Sequence, residues 1–155
     1  MNTSKLGSIF AARTSGSEAL TGVMLRIPVG VIFAAHGAQK LFGSFGGYGL
    51  EGTGQYMASI GLEPGYLMAL LAGSAEFFGG LALLIGLLVR PAAAVLAFTM
   101  VMAIFSAHLA NGLFMSNGGY EFALSLLAAS LALVFHGAGR FSVDGVIAGR
   151  LAAVA

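Results

Sequence analysis

The sequence predicts an all-α integral membrane protein, a four-helix bundle built from two parallel helix-hairpin repeats. Three observations predict this fold class: the chain is strongly apolar, it holds four stretches of membrane-spanning length, and one motif occurs twice. Of its 155 residues, 58% are hydrophobic and 8% are charged, whereas a soluble domain carries about 25% charged residues. So few charges cannot cover a surface that faces water, and we therefore expect many apolar side chains to face lipid.

Four stretches are long enough to cross a bilayer, which takes roughly 20 apolar residues in a helix. They are residues 19–42, 65–89, 91–114 and 119–139. Pro91 is suited to begin the third span, because the first N–H groups of a helix have no partner within the helix. In the Gly-rich connection between the first two spans, we expect Thr53 to cap a short surface helix that ends at Leu62.

The four spans define one membrane domain, residues 19–145, between two short ends. Residues 1–18 are rich in Ser, Thr and Gly, and we interpret them as a polar, mobile cytoplasmic tail. Residues 146–155 form a short cytoplasmic C-terminal segment. A cleaved signal peptide is the alternative for the N-terminus, but the apolar region of a signal peptide has about 7–15 residues and the first apolar stretch here is longer.

The basic residues that flank the spans predict the orientation, because cytoplasmic loops carry an excess of Lys and Arg. One side of the membrane receives Lys5, Arg13, Arg90, Arg140 and Arg150. The other side receives Lys40, beside Glu51, Glu63 and Glu121. We therefore expect both termini and the turn between the second and third spans to lie in the cytoplasm.

A motif at residues 32–48 returns at residues 104–120, at an offset of 72 positions, with eleven of its seventeen residues identical. The matched residues include His, Ser, Gly-Gly and Tyr, which are not part of the hydrophobic background. Both halves begin on the same side of the membrane, so the repeat is parallel, and a pseudo-two-fold axis would run along the membrane normal.

Two ionisable residues inside the spans are candidates for function. A charge at the middle of a bilayer costs at least about 2.5–3.5 kcal/mol, so each one needs an explanation. Glu76 lies near the midplane, and small residues three or four positions away allow a neighbouring helix to approach closely: Ala72, Gly73, Gly79 and Gly80. Glu76 should therefore point into the bundle, with Arg26 as its expected partner. This pair is either a structural ion pair or a proton-accepting carboxylate held by an arginine.

A second group of polar residues is expected at the outer side. His36 and His108 occupy equal positions in the two repeats, and Gln39 and Asn111 follow one turn later on the same helix faces. Lys40 and Glu121 lie near the same rim. The histidines are either hydrogen-bonded packing residues or a site that binds a ligand or handles protons. The candidate catalytic residues are thus Glu76, His36 and His108, and the candidate ligand-binding residues are Arg26, Gln39, Lys40, Asn111 and Glu121.

Several function classes are excluded or disfavoured by what the chain lacks. There is no cysteine, which excludes disulfides, thiolate metal sites and a dithiol relay. No Walker loop, zincin motif or nucleophile elbow occurs, and we predict no metal site. The net charge of +1, without a basic run, gives no support for a nucleic-acid partner.

The ordered set of polar and glycine motifs resembles the DoxX family of small bacterial inner-membrane proteins over residues 20–145. The resemblance rests on these residues: Arg26, His36-Gly37, Lys40-Leu41, Glu76, Gly79-Gly80, Gly86 to Arg90, His108, Gly119-Tyr120-Glu121 and Ser142-Val143-Asp144. It implies a four-helix fold in the bacterial inner membrane. The family takes its name from a membrane quinone oxidoreductase subunit, and members have been linked to sulfur-compound oxidation and to oxidative-stress complexes.

Three functions remain open. The first is the membrane subunit of a quinone-linked redox system, in which His36, His108 and Lys40 donate hydrogen bonds and Glu76 or Glu121 accepts protons. The cofactor is undetermined; quinone is the first candidate, and a haem held by the two histidines is a special case that we do not favour. The second is an oligomeric carrier of protons or small molecules. The third is a membrane anchor for soluble oxidoreductases. The expected partners are the lipid bilayer and either a soluble oxidoreductase or further copies of the chain.

Overall fold

The computed structural model describes residues 15–139 and 141–152, and these residues form helices joined by turns, with no strand. The helices are α1 (Ser15–Phe42), α2 (Gly49–Ser59), α3 (Gly65–Ile85), α4 (Val89–Ala103), α5 (Glu121–His136) and α6 (Val143–Ala152). The predicted tail lies outside the described residues up to position 14, as do Lys5, Arg13 and Arg140. The all-helical fold class is confirmed for the part of the chain that is described.

Three helical segments are long and apolar enough to cross a membrane: Leu20–Phe42, Gly65–Ile85 and Val89–Asn111. The third is α4 together with a π-helical turn, Ile104–His108, and a 3-10 turn, Leu109–Asn111. Helix α5 is also apolar but has 16 residues, fewer than the 17–25 or so that usually span a bilayer. The structure thus supports a membrane protein with three candidate spans.

The connection between the first two spans differs from the prediction. Helix α2 begins at Gly49, and Thr53 lies buried in its second turn instead of capping its start. The helix begins earlier because the glycine-rich turn at residues 43–47 reverses the chain directly after α1. Its side chains can therefore cover one end of the bundle.

Helices α1 and α3 pack closely and antiparallel through glycines. A Cβ atom on Gly37 would overlap the backbone of Phe77, and one on Gly80 would overlap the backbone of Ala34. Gly79 faces the other way, toward Leu96 of α4. The small residues around Glu76 thus bring α1 within backbone contact of α3, as the sequence predicts, and leave room for the Leu96 side chain of α4.

The rest of the core joins all four long helices. Phe33 of α1, Leu83 of α3, Leu96 of α4 and Leu133 of α5 are fully buried. Many large apolar side chains cover the outside of the bundle, such as Phe135, which is 80% exposed. Such an exterior is stable in lipid, where apolar surface carries no cost of hydration.

Arg26 is buried at one end of the bundle, which we call the Arg26 end. Its guanidinium donates hydrogen bonds to the carbonyl oxygens of Leu83 and Leu84, at 2.8 and 2.7 Å, and to that of Phe141. Leu83 and Leu84 lie in the last turn of α3, whose carbonyls have no partner within the helix. A cation also interacts favourably with the negative end of the helix dipole. Arg26 therefore caps α3 and ties the chain after α5 to it.

Asp144 adds further hydrogen bonds at the Arg26 end, and we call its contacts together with those of Arg26 the clamp. Its carboxylate accepts hydrogen bonds from the N–H groups of Leu88 and Val89, at 2.8 and 3.0 Å, at the start of α4. Its own N–H donates to the carbonyl of Gly86 at 2.9 Å. Gly86 has a φ of 73° and lies against Ser142 and the Arg26 guanidinium, so a side chain there would be both strained and crowded.

The predicted pairing of Arg26 with Glu76 is wrong. The antiparallel register sets Arg26 beside residues 83 and 84 of α3, which are seven and eight residues beyond Glu76. This offset is about 10 Å along the helix axis. The carbonyls at the end of α3 are within reach of the guanidinium, and they satisfy it without a carboxylate.

We predict that replacing Arg26 by Met destabilises the protein by roughly 2 kcal/mol or more, because it removes three hydrogen bonds and leaves the carbonyl oxygens of Leu84 and Phe141 without this donor. Thermal unfolding in detergent micelles measures the effect. Arg90→Met is the matched control: Arg90 is exposed and makes a long contact of 3.5 Å with the Phe135 carbonyl, so its loss should change stability by about 0.5 kcal/mol or less. Equal melting temperatures for the two variants would show that the clamp is unimportant.

Candidate functional site

A cavity of about 820 Å³, which we call the membrane cavity, lies between α1, α3, α4 and α5. It lies at the end of the bundle opposite Arg26, which we call the Lys40 end. Helix α2 and the residue that follows it cover the cavity with Tyr56, Met57 and Ile60. Most of its walls are apolar, but four basic or acidic side chains also line it: His36, Lys40, Glu76 and His108. All three candidate catalytic residues therefore reach one cavity.

Glu76 and Lys40 form an ion pair in the wall of the membrane cavity. The Lys40 Nζ lies 2.5 Å from Glu76 Oε2, and the two side chains are 25% and 4% exposed. Glu76 points into the bundle, as predicted. The place of Lys40 differs from the predicted outer rim, because its long side chain extends along α1 to α3. Gly73 makes room for it: a Cβ there would lie 3.2 Å from Lys40 Cβ.

His36 lies one turn before Lys40 on the same face of α1, where residues four apart are neighbours. Its ring is partly buried and packs against the ring of Phe122 on α5, with 5.7 Å between the ring centres and a tilt of 50°. This contact fixes the imidazole between two helices at the cavity wall.

His108 ends the π-helical turn Ile104–His108. Its Nδ1 lies 2.8 Å from the carbonyl oxygen of Gly118, and because a carbonyl can only accept, Nδ1 carries the hydrogen. In the neutral ring Nε2 is then an acceptor. π-turns occur often at functional sites. His36 lies in a regular α-helix, so the two histidines of the repeat motif have different backbones, and the two-fold relation stays a prediction.

The predicted ligand-binding residues near the turns mostly hold the backbone. Gln39 donates to the Phe45 carbonyl at 3.3 Å, and Asn111 donates to Gly118 at 3.2 Å. Glu121 Oε1 accepts from the Met115 N–H at 2.6 Å. Asn111 and Glu121 are not among the residues that line the membrane cavity, and neither is Arg26.

A second pocket of about 690 Å³ lies between the end of α1 and α2, and we call it the polar pocket. Hydroxyl and amide side chains dominate its wall: Gln39, Tyr48, Thr53, Gln55, Tyr56 and Ser59. Lys40 and Tyr56 line both the polar pocket and the membrane cavity. The ion pair therefore stands at the boundary between an apolar and a polar compartment.

Helix α2 contributes cavity residues that the sequence did not single out. Tyr56, Met57 and Ile60 are spaced three and four residues apart, which is the spacing of one apolar helix face. That pattern could have indicated a helix packed on the bundle. Among residues 15–139 and 141–152, no group of three His, Cys, Asp or Glu residues is placed to hold a metal ion.

Comparison with known proteins adds family information. The family model described as DoxX matches residues 22–109. The chain is 35% identical over 111 residues to "Putative oxidoreductase CatD" of Bacillus subtilis (strain 168), covering 72% of this chain and 76% of that protein. It is 35% identical over 130 residues to "Inner membrane protein YqjF" of Escherichia coli (strain K12), covering 79% and 89%. No solved structure gives a significant match.

We predict that Lys40→Met destabilises the protein by about 3 kcal/mol, because it leaves the Glu76 carboxylate buried without its partner. The double variant Lys40→Met/Glu76→Gln should recover much of this loss, since no lone charge remains. Thermal unfolding in detergent, analysed as a double-mutant cycle, measures the coupling. Glu51→Gln, at an exposed position, serves as the control. If the stability lost in the double variant equals the sum of the losses in Lys40→Met and Glu76→Gln, the two groups do not interact.

Proposed function

The chain belongs to the DoxX family of inner-membrane proteins, and from this premise we propose that it is the membrane subunit of a quinone-linked redox system. The observation that supports the proposal is the placement of His36, Lys40, Glu76 and His108 around one apolar cavity. Its volume of about 820 Å³ falls within the roughly 300–1,000 Å³ typical of small-molecule sites. A lipid-soluble ligand with a few polar atoms fits such a cavity.

The polar side chains match the hydrogen-bonding needs of a quinone. A quinone has two carbonyl oxygens that only accept, and the Lys40 ammonium and the His36 imidazole are donors. The apolar remainder of the cavity is complementary to the ring and its hydrocarbon substituents. The cavity thus binds the head group by a small number of placed polar groups, as ligand sites usually do.

The same residues supply acceptors for protons. Oxidation of a quinol releases two protons and two electrons. The Glu76 carboxylate and the Nε2 atom of His108 are both acceptors at the cavity wall, so they can take the protons. Lys40 and Tyr56 connect the cavity to the polar pocket, which gives the protons a route to water at the Lys40 end.

The electrons need an acceptor outside the chain's own side chains, because the chain has no cysteine and offers no dithiol relay. We assign them to a redox centre on a partner, with a soluble oxidoreductase as the first candidate. The relative named "Putative oxidoreductase CatD" is in keeping with this role. Oxidoreductase activity would then belong to the assembly, of which this chain is the membrane part.

We further propose that α5 is the fourth span and that the two repeats form the two hairpins of the bundle. Its 16 residues rise about 24 Å, and the apolar flanks within residues 119–139 extend it. Helix α5 shares the core with α4 and α1 through Leu126, Leu133 and Phe33. A helix packed in this way against two candidate spans belongs with them in the bilayer.

The orientation prediction, with both termini in the cytoplasm, can be tested cleanly because the chain has no cysteine. A single cysteine at Gln55 or Ser116 should react with a membrane-impermeant maleimide on intact cells. A cysteine at Leu88, which is exposed in the α3–α4 turn, should react only after the cells are opened. The opposite labelling pattern would show that both termini lie outside the cytoplasm, which contradicts the predicted orientation.

Quinone binding is the direct test of the function. We expect the double variant His36→Leu/His108→Leu to bind decylubiquinol, the reduced form, roughly thirtyfold more weakly. It loses two hydrogen bonds of about 1 kcal/mol each, one donated by His36 and one accepted by Nε2 of His108. Calorimetric titration in mild detergent measures the affinity. His136→Leu is the matched control, since His136 is exposed and does not line the cavity. Unchanged affinity in the double variant would remove the histidines from the site, and absence of any binding would overturn the proposal.

A further inference from the structure

The membrane cavity is open on the side of the bundle between α3 and α4. Near the turn that joins them, the two helices touch, and a Cβ on Gly79 would lie 3.0 Å from Leu96 Cγ. Beside this contact, residues of both helices line the cavity: Leu71, Ala72 and Ala75 on α3, and Val95, Phe98 and Met102 on α4. All of them except Val95 lie nearer the Lys40 end than Gly79 and Leu96 do. Side chains of both helices thus border the cavity, and we call the space between them the α3–α4 gap.

The exposure of the lining residues identifies this gap as a mouth. Leu71, Val95, Phe98 and Met102 line the cavity and yet are 57%, 50%, 65% and 41% exposed. On the opposite wall, Phe33 and Leu126 are 1% and 6% exposed. Exposed residues that line the cavity mark its openings; Tyr56 and Met115, which are 51% and 60% exposed, mark another opening at the Lys40 end.

The mouth faces lipid. Its two sides belong to the candidate spans Gly65–Ile85 and Val89–Asn111, and the six residues that form it are all apolar. An apolar opening between two spanning helices meets acyl chains and not water. Ala72 and Ala75 have the smallest side chains at this opening.

We infer that the α3–α4 gap is a lateral portal, through which a lipid-soluble quinone enters the membrane cavity directly from the bilayer. The hydrocarbon tail lies between α3 and α4, and the head group reaches the Lys40–Glu76 ion pair. The identity of the head group rests on the proposed function. The portal itself rests on the cavity, the exposure of its rim and the spans that carry it.

The experiment uses the absence of tryptophan from the chain. Leu126→Trp places a reporter on the buried cavity wall, and Leu133→Trp, two turns later on the same helix, places a control in the core away from the cavity. Phe33→Trp is a second, more conservative reporter if the first variant does not fold. Each protein is reconstituted into phosphatidylcholine vesicles with brominated acyl chains, which quench tryptophan on contact.

We expect brominated lipid to quench the reporter and to leave the control bright. Ala72→Phe, added to the reporter, narrows the portal and should remove this quenching. In vesicles without bromine, the same change should raise the decylubiquinone concentration for half-maximal quenching by about tenfold.

The other outcomes separate the portal from the proposed function. Equal quenching of reporter and control would overturn the portal, and so would quenching of the reporter by aqueous iodide without quenching by brominated lipid. In the iodide case, saturable binding of decylubiquinone would leave the quinone function intact. Quenching by brominated lipid without any binding of decylubiquinone would support the portal and contradict the quinone function.

Discussion

The close contact between α1 and α3 sets the position of every charged side chain inside the bundle. Helix α1 carries two cations, Arg26 and Lys40, and each needs a partner because a lone charge in hydrocarbon is costly. Both partners lie on α3: its C-terminal carbonyls bind Arg26, and Glu76 binds Lys40. Glycines allow this arrangement by letting the two backbones touch. A wider helix pair would place both partners beyond reach.

The two ends of the bundle follow from these partners and have opposite character. At the Arg26 end, the guanidinium and Asp144 satisfy helix termini and fasten the chain after α5 to the α3–α4 turn. At the Lys40 end, the helices surround the membrane cavity. The end held by these hydrogen bonds thus lies opposite the end with the cavity, and a well-bonded scaffold is what polar side chains around a ligand need.

The repeated motif gives the cavity two histidines without giving them the same environment. His36 lies in a regular helix and packs on Phe122, whereas His108 ends a π-turn and donates to Gly118. The first half also has α2, which covers the cavity and has no counterpart between α4 and α5 among the described residues. The two histidines are therefore suited to different roles in the proposed function: His36 to donate to a ligand, and His108 to accept a proton.

The sequence by itself determined the all-helical membrane character, the family and the inward direction of Glu76, because hydropathy, motif order and small-residue spacing are properties of single segments. It did not determine which charges meet. Arg26 was expected beside Glu76 and binds carbonyls instead, and Lys40 was expected at the rim and binds Glu76. Such pairings depend on the axial register of two helices, and an offset of about 10 Å along the axis separates one partner from another. Register is set by packing between segments far apart in the chain, and only the tertiary structure decided it.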